Sequence, residues 1–239
     1  MTGSHLSASS IQSLLRAQAA DRPPERTDKA TPAFTITVSR EAGAQGNTVA
    51  DEVGRRLGWP VYDKELLGPI AEKTGSTLFD LEALDERTMS WLEEVTTGLV
   101  RNSRVSPWAY LKALIGTVRA LGAKGHCVIV GRGSTLILTE NVLHVRLVAA
   151  MPDRVRAVAE RRHLSPRDAE AWITKSDAER AQFVKKAFGL DLGDPHHYDL
   201  VLNTSRLPVA DCAGVIVDTL RRLEAAQKHA RSAAAPAHA

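Results

Sequence analysis

This sequence has little cysteine, and it lacks a secretory signal and an apolar run of membrane-spanning length. Its 239 residues include only two cysteines, Cys127 and Cys212, and both have apolar neighbours. Two cysteines are too few for a disulfide framework or a cysteine-rich zinc site, so we expect two buried thiols in a reducing compartment. The sequence has no apolar signal segment near its N-terminus and no run long enough to span a bilayer. We therefore expect a cytoplasmic protein without a membrane partner.

A large excess of one charge is also lacking. The chain has 31 lysines and arginines against 28 aspartates and glutamates, which gives a formal net charge of +3. Proteins that bind nucleic acid through bulk charge carry a larger basic excess. The composition therefore predicts no nucleic-acid partner. A length of 239 residues suits one α/β domain with a small inserted subdomain.

What the sequence does contain is an alternation of short apolar segments and amphipathic helices. We interpret the apolar segments as strands, which lie at residues 34–39, 59–62, 127–130, 142–149 and 198–203. Residues 76–124 show only helical patterns, and residues 151–190 form helices with many arginines and lysines. Alternation of this kind predicts an α/β fold, in which helices cover both faces of a parallel sheet.

The predicted domain spans residues 34–225, and both ends of the chain differ from it in composition. Residues 1–33 are polar and alanine-rich, which favours a flexible arm; a docking segment or a dimer contact is the alternative. The last helix is predicted from Pro208 to about Leu223. The alanine-rich residues 226–239 are predicted to form a disordered tail.

A glycine-containing loop joins the first strand to the first helix. Backbone N–H groups and the positive end of a helix dipole converge in such a loop, which is an arrangement that binds phosphate. The usual P-loop pattern is G-x-x-x-x-G-K-[ST]. Gly46 and Thr48 match this pattern, but Glu41 stands at the first glycine position and Asn47 at the lysine position. The predicted phosphate-binding residues are Gly43, Ala44, Gln45, Gly46, Asn47 and Thr48.

Four motifs occur in a characteristic order along the chain. They are Ser-Arg-Glu at residues 39–41, Trp-Pro-Val-Tyr-Asp-Lys-Glu-Leu-Leu at 59–67, Val-Ile-Val-Gly-Arg-Gly at 128–133 and Tyr-Asp-Leu-Val-Leu-Asn-Thr at 198–204. Together they resemble the cytidylate kinase-like family, a branch of the P-loop nucleoside monophosphate kinases. The resemblance implies a three-layer P-loop NTPase fold with a five-stranded parallel sheet in the order 2-3-1-4-5. It also implies a helical acceptor-binding insert at residues 76–124 and a helical lid at residues 151–190.

The activity that the resemblance implies is transfer of the ATP γ-phosphoryl group to CMP, dCMP or a related acceptor. ATP and Mg²⁺ would be the cofactors, and nucleotides the partners. Phosphoryl transfer needs the two reacting groups held in line and cations around the moving phosphoryl group. Two alternatives remain: a catalytically inactive nucleotide-binding regulator, for which Asn47 is the main argument, and a P-loop kinase of another small acceptor. ATP turnover separates the regulator from both kinases.

On the donor side, the hydroxyl of Thr48 is the candidate Mg²⁺ ligand, and a helix N-cap is its alternative role. Asn47 can donate a hydrogen bond to phosphate but brings no charge. Arg40 is a candidate catalytic residue that would supply the missing charge; the alternative is an exposed arginine at a strand end. Asn203 ends the last strand, where it would border the donor base.

On the acceptor side, Arg132 is a catalytic and substrate-binding candidate, because the end of a buried strand is a poor place for an unpaired charge. We expect a phosphate or a carboxylate as its partner. Asp63 would bind a nucleotide hydroxyl or a metal-bound water, or else cap a helix, and Lys64 would reach the acceptor phosphate. The resemblance implies a lid with catalytic arginines, for which the candidates are Arg161, Arg162 and Arg180; the alternative is a solvated basic helix face.

Overall fold

A five-stranded parallel sheet lies at the centre of the computed structural model, which describes residues 33–63 and 107–234. The strands are β1 (Thr35–Arg40), β2 (Val61–Tyr62), β3 (Cys127–Val130), β4 (Val142–Val148) and β5 (Leu200–Asn203). Their order is β2-β3-β1-β4-β5, and all four neighbouring pairs are parallel. The predicted sheet and strand order are confirmed.

Six helices connect or flank the described strands. They are α1 (Gly46–Leu57), α2 (Pro107–Lys124), α3 (Ser134–Ile137), α4 (Met151–Arg162), α5 (Pro166–Phe188) and α6 (Val209–Ala234), with a short 3₁₀ turn at Pro195–His197. Local sequence sets their ends. Gly58 ends α1 in the left-handed conformation, with φ of 67°, and the Ser165 side chain accepts a hydrogen bond from the Asp168 N–H to begin α5.

Two apolar cores, one on each face of the sheet, give the molecule its three layers. On one face, α1 and α6 pack against β1, β3 and β4 through residues that include Ile36, Val38, Val53, Leu143 and Ile216. On the other face, α2, α3 and the end of α5 cover Cys127 and Ile129. Both cysteines are buried free thiols, as predicted. The sheet is therefore covered on both sides, as is usual for parallel sheets.

Several predicted boundaries differ from the structure by one or two residues. The helix after the glycine loop begins at Gly46 rather than Thr48. Strand β2 begins at Val61 rather than Trp59, and β4 ends at Val148 rather than Ala149. The helix after β3 ends at Ile137, two residues before the predicted end at Thr139. Terminal turns are where local sequence preferences are weakest, so errors collect there.

The end of the last helix was predicted wrongly. Helix α6 continues eleven residues past Leu223 to Ala234, so residues 226–234 of the predicted disordered tail are helical. The extension is rich in alanine, which has the highest helix propensity, and no glycine or proline interrupts it. One contact fixes it to the domain: the Gln227 side-chain amide donates a hydrogen bond to Asn141 Oδ1 at 2.5 Å.

Some predictions lie outside the described residues. These are the arm before residue 33, Lys64 and its predicted helix, and the insert before residue 107. Of the insert, the structure describes α2, which begins at Pro107 as predicted. Among the described helices, none combines the length and the apolar character needed to cross a membrane.

Candidate active site

The candidate site lies at the carboxyl ends of β1 and β3, where residues 41–45 lead into α1. Gln45 takes the left-handed conformation, with φ of 53°, and makes no side-chain capping bond to the helix. The N–H groups of Gly46, Asn47 and Thr48 form the first turn of α1, so the helix itself offers them no carbonyl partner. Three donors at the positive end of a helix dipole suit a bound anion. The N-cap role considered for Thr48 is wrong, because Thr48 lies inside the first turn.

Glu41 stands at the first glycine position of the P-loop pattern and turns away from the first turn of α1. Its N–H donates to the Leu147 carbonyl at 3.0 Å, and its Oε2 accepts a hydrogen bond from the Ala149 N–H at 3.1 Å. Gly43 supplies the tight turn instead, with φ of 86°, and a Cβ there would lie 2.8 Å from the Arg154 carbonyl oxygen. The loop therefore does not need glycine at position 41.

Arg40 crosses the site from the end of β1. A Cβ added to Gly46 would lie 2.5 Å from Arg40 Cγ, and a Cβ added to Gly131 would collide with Arg40 Nη1. The side chain therefore runs from the start of α1 to the loop that follows β3. Arg40 is half-buried along this path, so the alternative of an exposed strand-end arginine is wrong.

Cations surround the Arg40 guanidinium. Burial, Arg180 and Arg132 lower the pKa of Arg40 to about 10, and Asp63 acts in the opposite direction. Arg40 remains charged at neutral pH, yet its surroundings oppose that charge. A bound anion would relieve this opposition.

Arg132 lies in a loop of three consecutive left-handed residues. The φ angles are 77° at Gly131, 57° at Arg132 and 70° at Gly133. A non-glycine residue in this conformation is uncommon and marks a constrained position. Arg132 Nε is buried and has no hydrogen-bond partner among the described residues. The described residues thus provide no carboxylate partner for this nitrogen, and a phosphate, the other predicted partner, would suit it.

Arg180 reaches the site from α5. Its Nη1 donates to the Arg40 carbonyl at 3.2 Å, and Asp177, one turn earlier, lies 3.7 Å from the same nitrogen. Burial lowers the pKa of Arg180, Asp177 raises it, and three further arginines lower it: Arg154, Arg146 and Arg161. The structure therefore brings together three of the predicted site arginines, namely Arg40, Arg132 and Arg180. We call these three the arginine cluster.

Asp63 and Asn47 meet at the edge of the site. Asn47 Nδ2 donates to Asp63 Oδ2 at 3.4 Å, which places the carboxylate beside the first turn of α1. The same carboxylate lies near enough to Arg40 to affect its pKa. Asp63 is thus positioned at the predicted site.

Two of the predicted lid arginines lie farther out. The Arg162 guanidinium stacks over the Trp172 ring, 4.1 Å from its centroid, and so packs α4 against α5. Arg161 is exposed, and its charge is the smallest of the causes that lower the pKa of Arg180. The structure therefore does not bring Arg162 to the site.

The Asn203 side chain takes part in a local turn. Its Oδ1 accepts a hydrogen bond from the Ser205 N–H at 2.9 Å. The next residue, Thr204, donates through Oγ1 to the Ala44 carbonyl at 3.3 Å. The end of β5 therefore touches the glycine loop through Thr204, the residue after Asn203.

Arg154 and Asp177 form a buried connection to the loop that the sequence analysis did not predict. The Arg154 side chain is only 8% exposed. Its Nε donates to the Ala42 carbonyl at 2.7 Å, its Nη1 lies 3.4 Å from Glu41 Oε2, and its Nη2 pairs with Asp177. A signal did exist, because Arg154 stands four residues before the fully buried Val158 and hence on the same face of α4.

A half-buried histidine lies behind the site, within the sheet. His144 Nδ1 and Thr37 Oγ1 are 2.7 Å apart, and the His144 backbone N–H donates to Asp199 Oδ2 at 2.7 Å. Burial lowers the pKa of His144, and Asp199 and the Leu138 backbone partly offset this effect. These partners, all among the described residues, are not members of the arginine cluster, so we assign His144 to stability rather than to the site.

Comparison with known proteins agrees with the resemblance seen in the sequence motifs. Residues 35–206 match the cytidylate kinase-like family. A cytidylate kinase from Pyrobaculum aerophilum is 26% identical over 184 residues, which cover 77% of this chain and 90% of that protein. A cytidylate kinase from Sulfolobus acidocaldarius is 32% identical over 80 residues, covering 34% of this chain and 44% of that protein. The fold is similar to the crystal structure of an uncharacterized protein from Eubacterium ventriosum, with a TM-score of 0.62, 20% identity and coverage of 79% and 98% of the two chains.

Proposed function

This chain belongs to the cytidylate kinase-like family, and on that premise we propose that it transfers the γ-phosphoryl group of ATP to CMP, dCMP or a related nucleoside monophosphate. The relatives named above are kinases. A phosphotransferase is the class of enzyme that they support. The choice of a cytidine acceptor is an extension from those relatives to this chain.

The arginine cluster beside the first turn of α1 is the observation that carries this proposal. Arg40 and Arg180 are joined through the Arg40 carbonyl, and Arg132 has a buried Nε without a partner among the described residues. Like charges gathered in this way oppose folding unless an anion is bound among them. Phosphoryl transfer places several negative phosphate oxygens at one point and is accelerated by cations around them.

Each part of the site has a role in this scheme. The N–H groups at the start of α1 would hold the donor phosphates, and Arg40 would neutralise charge on the phosphoryl group as it moves. Arg132 would bind the acceptor phosphate through its planar guanidinium. Arg180 would contact the phosphates from the α5 side. These roles require no covalent chemistry from the protein.

Mg²⁺ fits this site only with help from the nucleotide. The described residues contain no group of three or more histidines, cysteines, aspartates or glutamates that could hold a metal ion. Mg²⁺ commonly keeps several waters and uses substrate phosphates as ligands. The Thr48 hydroxyl would be its protein ligand, with the Asp63 carboxylate nearby through water. Bound in this way, Mg²⁺ would neutralise phosphate charge.

An ATP-consumption screen over the nucleoside monophosphates tests the proposal. The unaltered protein is expected to form ADP with CMP or dCMP faster than with AMP, GMP or UMP. Arg132→Met should abolish this activity, whereas Arg221→Met, which removes an exposed arginine from α6, should leave it unchanged. ATP binding without ADP formation from any acceptor would reject the kinase and favour the nucleotide-binding regulator.

A further inference from the structure

The loop that precedes α1 is held through both backbone groups of one residue, Ala42. The Ala42 carbonyl accepts from Arg154 Nε at 2.7 Å, and the Ala42 N–H donates to Asp177 Oδ1 at 2.8 Å. Arg154 and Asp177 also pair with each other, so the two side chains and the Ala42 backbone close a ring of hydrogen bonds. Arg154 comes from α4 and Asp177 from α5, so neither helix can move away without breaking contacts to the loop.

Packing reinforces this connection. Ala42 is 2% exposed and lies in a small apolar core with Val158 of α4 and Ala169 and Ile173 of α5. This third core is separate from the two that cover the sheet. The glycine loop therefore has its own support, built almost entirely from the α4–α5 pair.

The same helix turn also places a member of the arginine cluster. Asp177 Oδ1 binds the Ala42 N–H, and the side chain one turn later, Arg180, donates to the Arg40 carbonyl. Residues 40 and 42 of the loop are thus bound by residues 180 and 177 of α5. A shift of α5 along its axis would move Arg180 and distort the loop at the same time.

We propose that Arg154 and Asp177 are positioning residues, which fix the shape of the phosphate loop and couple it to Arg180 on α5. Neither side chain would touch the nucleotide. Arg154 also contacts the start of the loop, because its Nη1 lies 3.4 Å from Glu41 Oε2. The inference rests on the proposed function only in that the loop is taken to bind phosphate.

Substitutions at both positions test this inference, with inorganic tripolyphosphate and ATP as the probes. Arg154→Lys keeps the charge but cannot reach Ala42, Glu41 and Asp177 together, because an ammonium lacks the planar fork of donors. We expect tripolyphosphate and ATP to bind about tenfold more weakly. Arg156→Lys is the matched control, since Arg156 lies two residues away on α4, is exposed and, among the residues described, pairs with Asp153.

The Asp177 variants separate the charge from the hydrogen bond. Asp177→Asn retains an oxygen that can accept from the Ala42 N–H, whereas Asp177→Ala retains none. Anion affinity should therefore fall in the order unaltered protein, Asp177→Asn, Asp177→Ala. In steady-state kinetics KM for ATP should rise while KM for the acceptor stays constant. Asp218→Asn, at an exposed pair on α6, is the control.

All affinities are measured well below the thermal midpoint of each variant, so that loss of folded protein does not imitate weak binding. Variants with lower Tm but unchanged affinity for tripolyphosphate and ATP would overturn the inference and leave Arg154 and Asp177 a purely structural role. That result would not affect the proposed function. Conversely, the affinities for tripolyphosphate can follow the predicted order of variants while the unaltered protein transfers no phosphoryl group. That result would reject the proposed function and retain the inference. Failure of the unaltered protein to bind tripolyphosphate or ATP would overturn both.

Discussion

Asn47 occupies the position at which the usual phosphate loop has a lysine, and the structure places another cation close by. The Arg40 side chain lies against Gly46, immediately before Asn47. Asn47 itself is exposed and bonds to Asp63. The positive charge that this site needs can therefore come from the strand before the loop rather than from the helix after it.

A charge exchange between the two positions tests this arrangement. Arg40→Met should weaken ATP binding by about tenfold, since it removes a charged hydrogen-bond donor. Asn47→Lys alone should change ATP affinity little, because Arg40 already holds the space. In the Arg40→Met background, Asn47→Lys should recover most of the lost affinity. Isothermal titration with ATP measures all four proteins; additive effects of the two substitutions would contradict the exchange.

Arg132 differs from Arg40 in the partner that we assign to it. Its Nε is buried without a partner among the described residues, and a lysine there would offer no second parallel donor. Arg132→Lys should raise KM for the acceptor about tenfold or more and leave ATP affinity nearly unchanged. Acceptor titration and thermal unfolding on one preparation check this. A lower Tm with an unaltered KM for the acceptor would indicate a structural role instead.

The sequence predicted which arginines belong to the site better than it predicted the side-chain contacts that hold the site together. Arg40 and Arg132 follow apolar strands, and strand ends in parallel sheets meet at one edge, so their proximity followed from the pattern alone. The pairing of Arg154 with Asp177 did not, because the two residues belong to different helices and only the packing of α4 on α5 brings them together. For the same reason, the stacking of Arg162 on Trp172, which turns it away from the site, could not be predicted from the sequence.

At the scale of elements, the glycine loop and the loop after β3 are joined by one side chain. From the sequence, the glycine at position 46 is explained by the close approach of the backbone to phosphate. The structure adds a second reason, because a Cβ at Gly46 would lie 2.5 Å from Arg40 Cγ and 2.7 Å from Arg40 Cβ. Either reason makes the position sensitive to a single methyl group.

Gly46→Ala should therefore displace Arg40 and reduce ATP and tripolyphosphate affinity by about tenfold or more. Gly116→Ala, in α2, is the matched control: no atom lies within 4 Å of its added Cβ, and alanine should stabilise the helix by ~0.5–1 kcal/mol. Titration of both variants, together with their Tm values, separates the site effect from a general effect of losing glycine. Unchanged anion affinity in folded Gly46→Ala would remove Arg40 and the first turn of α1 from the binding site.

Helix α6 shows where composition misled the sequence interpretation. A run of alanines was interpreted as low-complexity tail, although alanine favours helix more than any other residue. What holds the last turns in place is a contact with Asn141, which is distant in sequence. Composition indicates the conformation that a segment prefers, whereas a tertiary contact of this kind adds stability that composition does not reveal.

At the scale of the whole molecule, the strand order was predictable because the alternation of strands and helices allows few arrangements. The family resemblance then selected one order, and the described strands follow it. The partial burial of a titratable side chain inside the sheet was not predictable in the same way. His144 alternates with apolar residues on β4 and would have suited an exposed position, but it bonds to Thr37 and lies beside the Leu138 backbone, just after α3.

His144 should make the stability of the folded protein depend on pH. Burial lowers its pKa in the folded state below the ordinary value of about 6.5, so the unfolded chain binds the proton more readily. The free energy of unfolding should be independent of this group above about pH 6.5 and fall as the pH drops below that value. The groups facing His144 are Thr37, Asp199, the Leu138 backbone and His197.

Denaturant unfolding at several pH values, with His144→Gln and the exposed His229→Gln as a pair, measures this contribution. His144→Gln should flatten the profile just below pH 6.5, and His229→Gln should leave it as in the unaltered protein. The lowered pKa values of Asp153 and Asp194 act at more acidic pH and do not overlap this window. Identical profiles for all three proteins would exclude His144 as the cause.

The path of Arg40 also constrains the order in which this site can change during evolution. As long as Arg40 is present, its Cβ and Cγ leave no room for a side chain at Gly46. A lineage that first loses the arginine is released from this restriction and can then acquire alanine at position 46. Once it has done so, the arginine can no longer return without colliding with the new methyl group. Loss of Arg40 is therefore easily followed by changes that make it permanent, and members of the family with and without this arginine should diverge along separate routes.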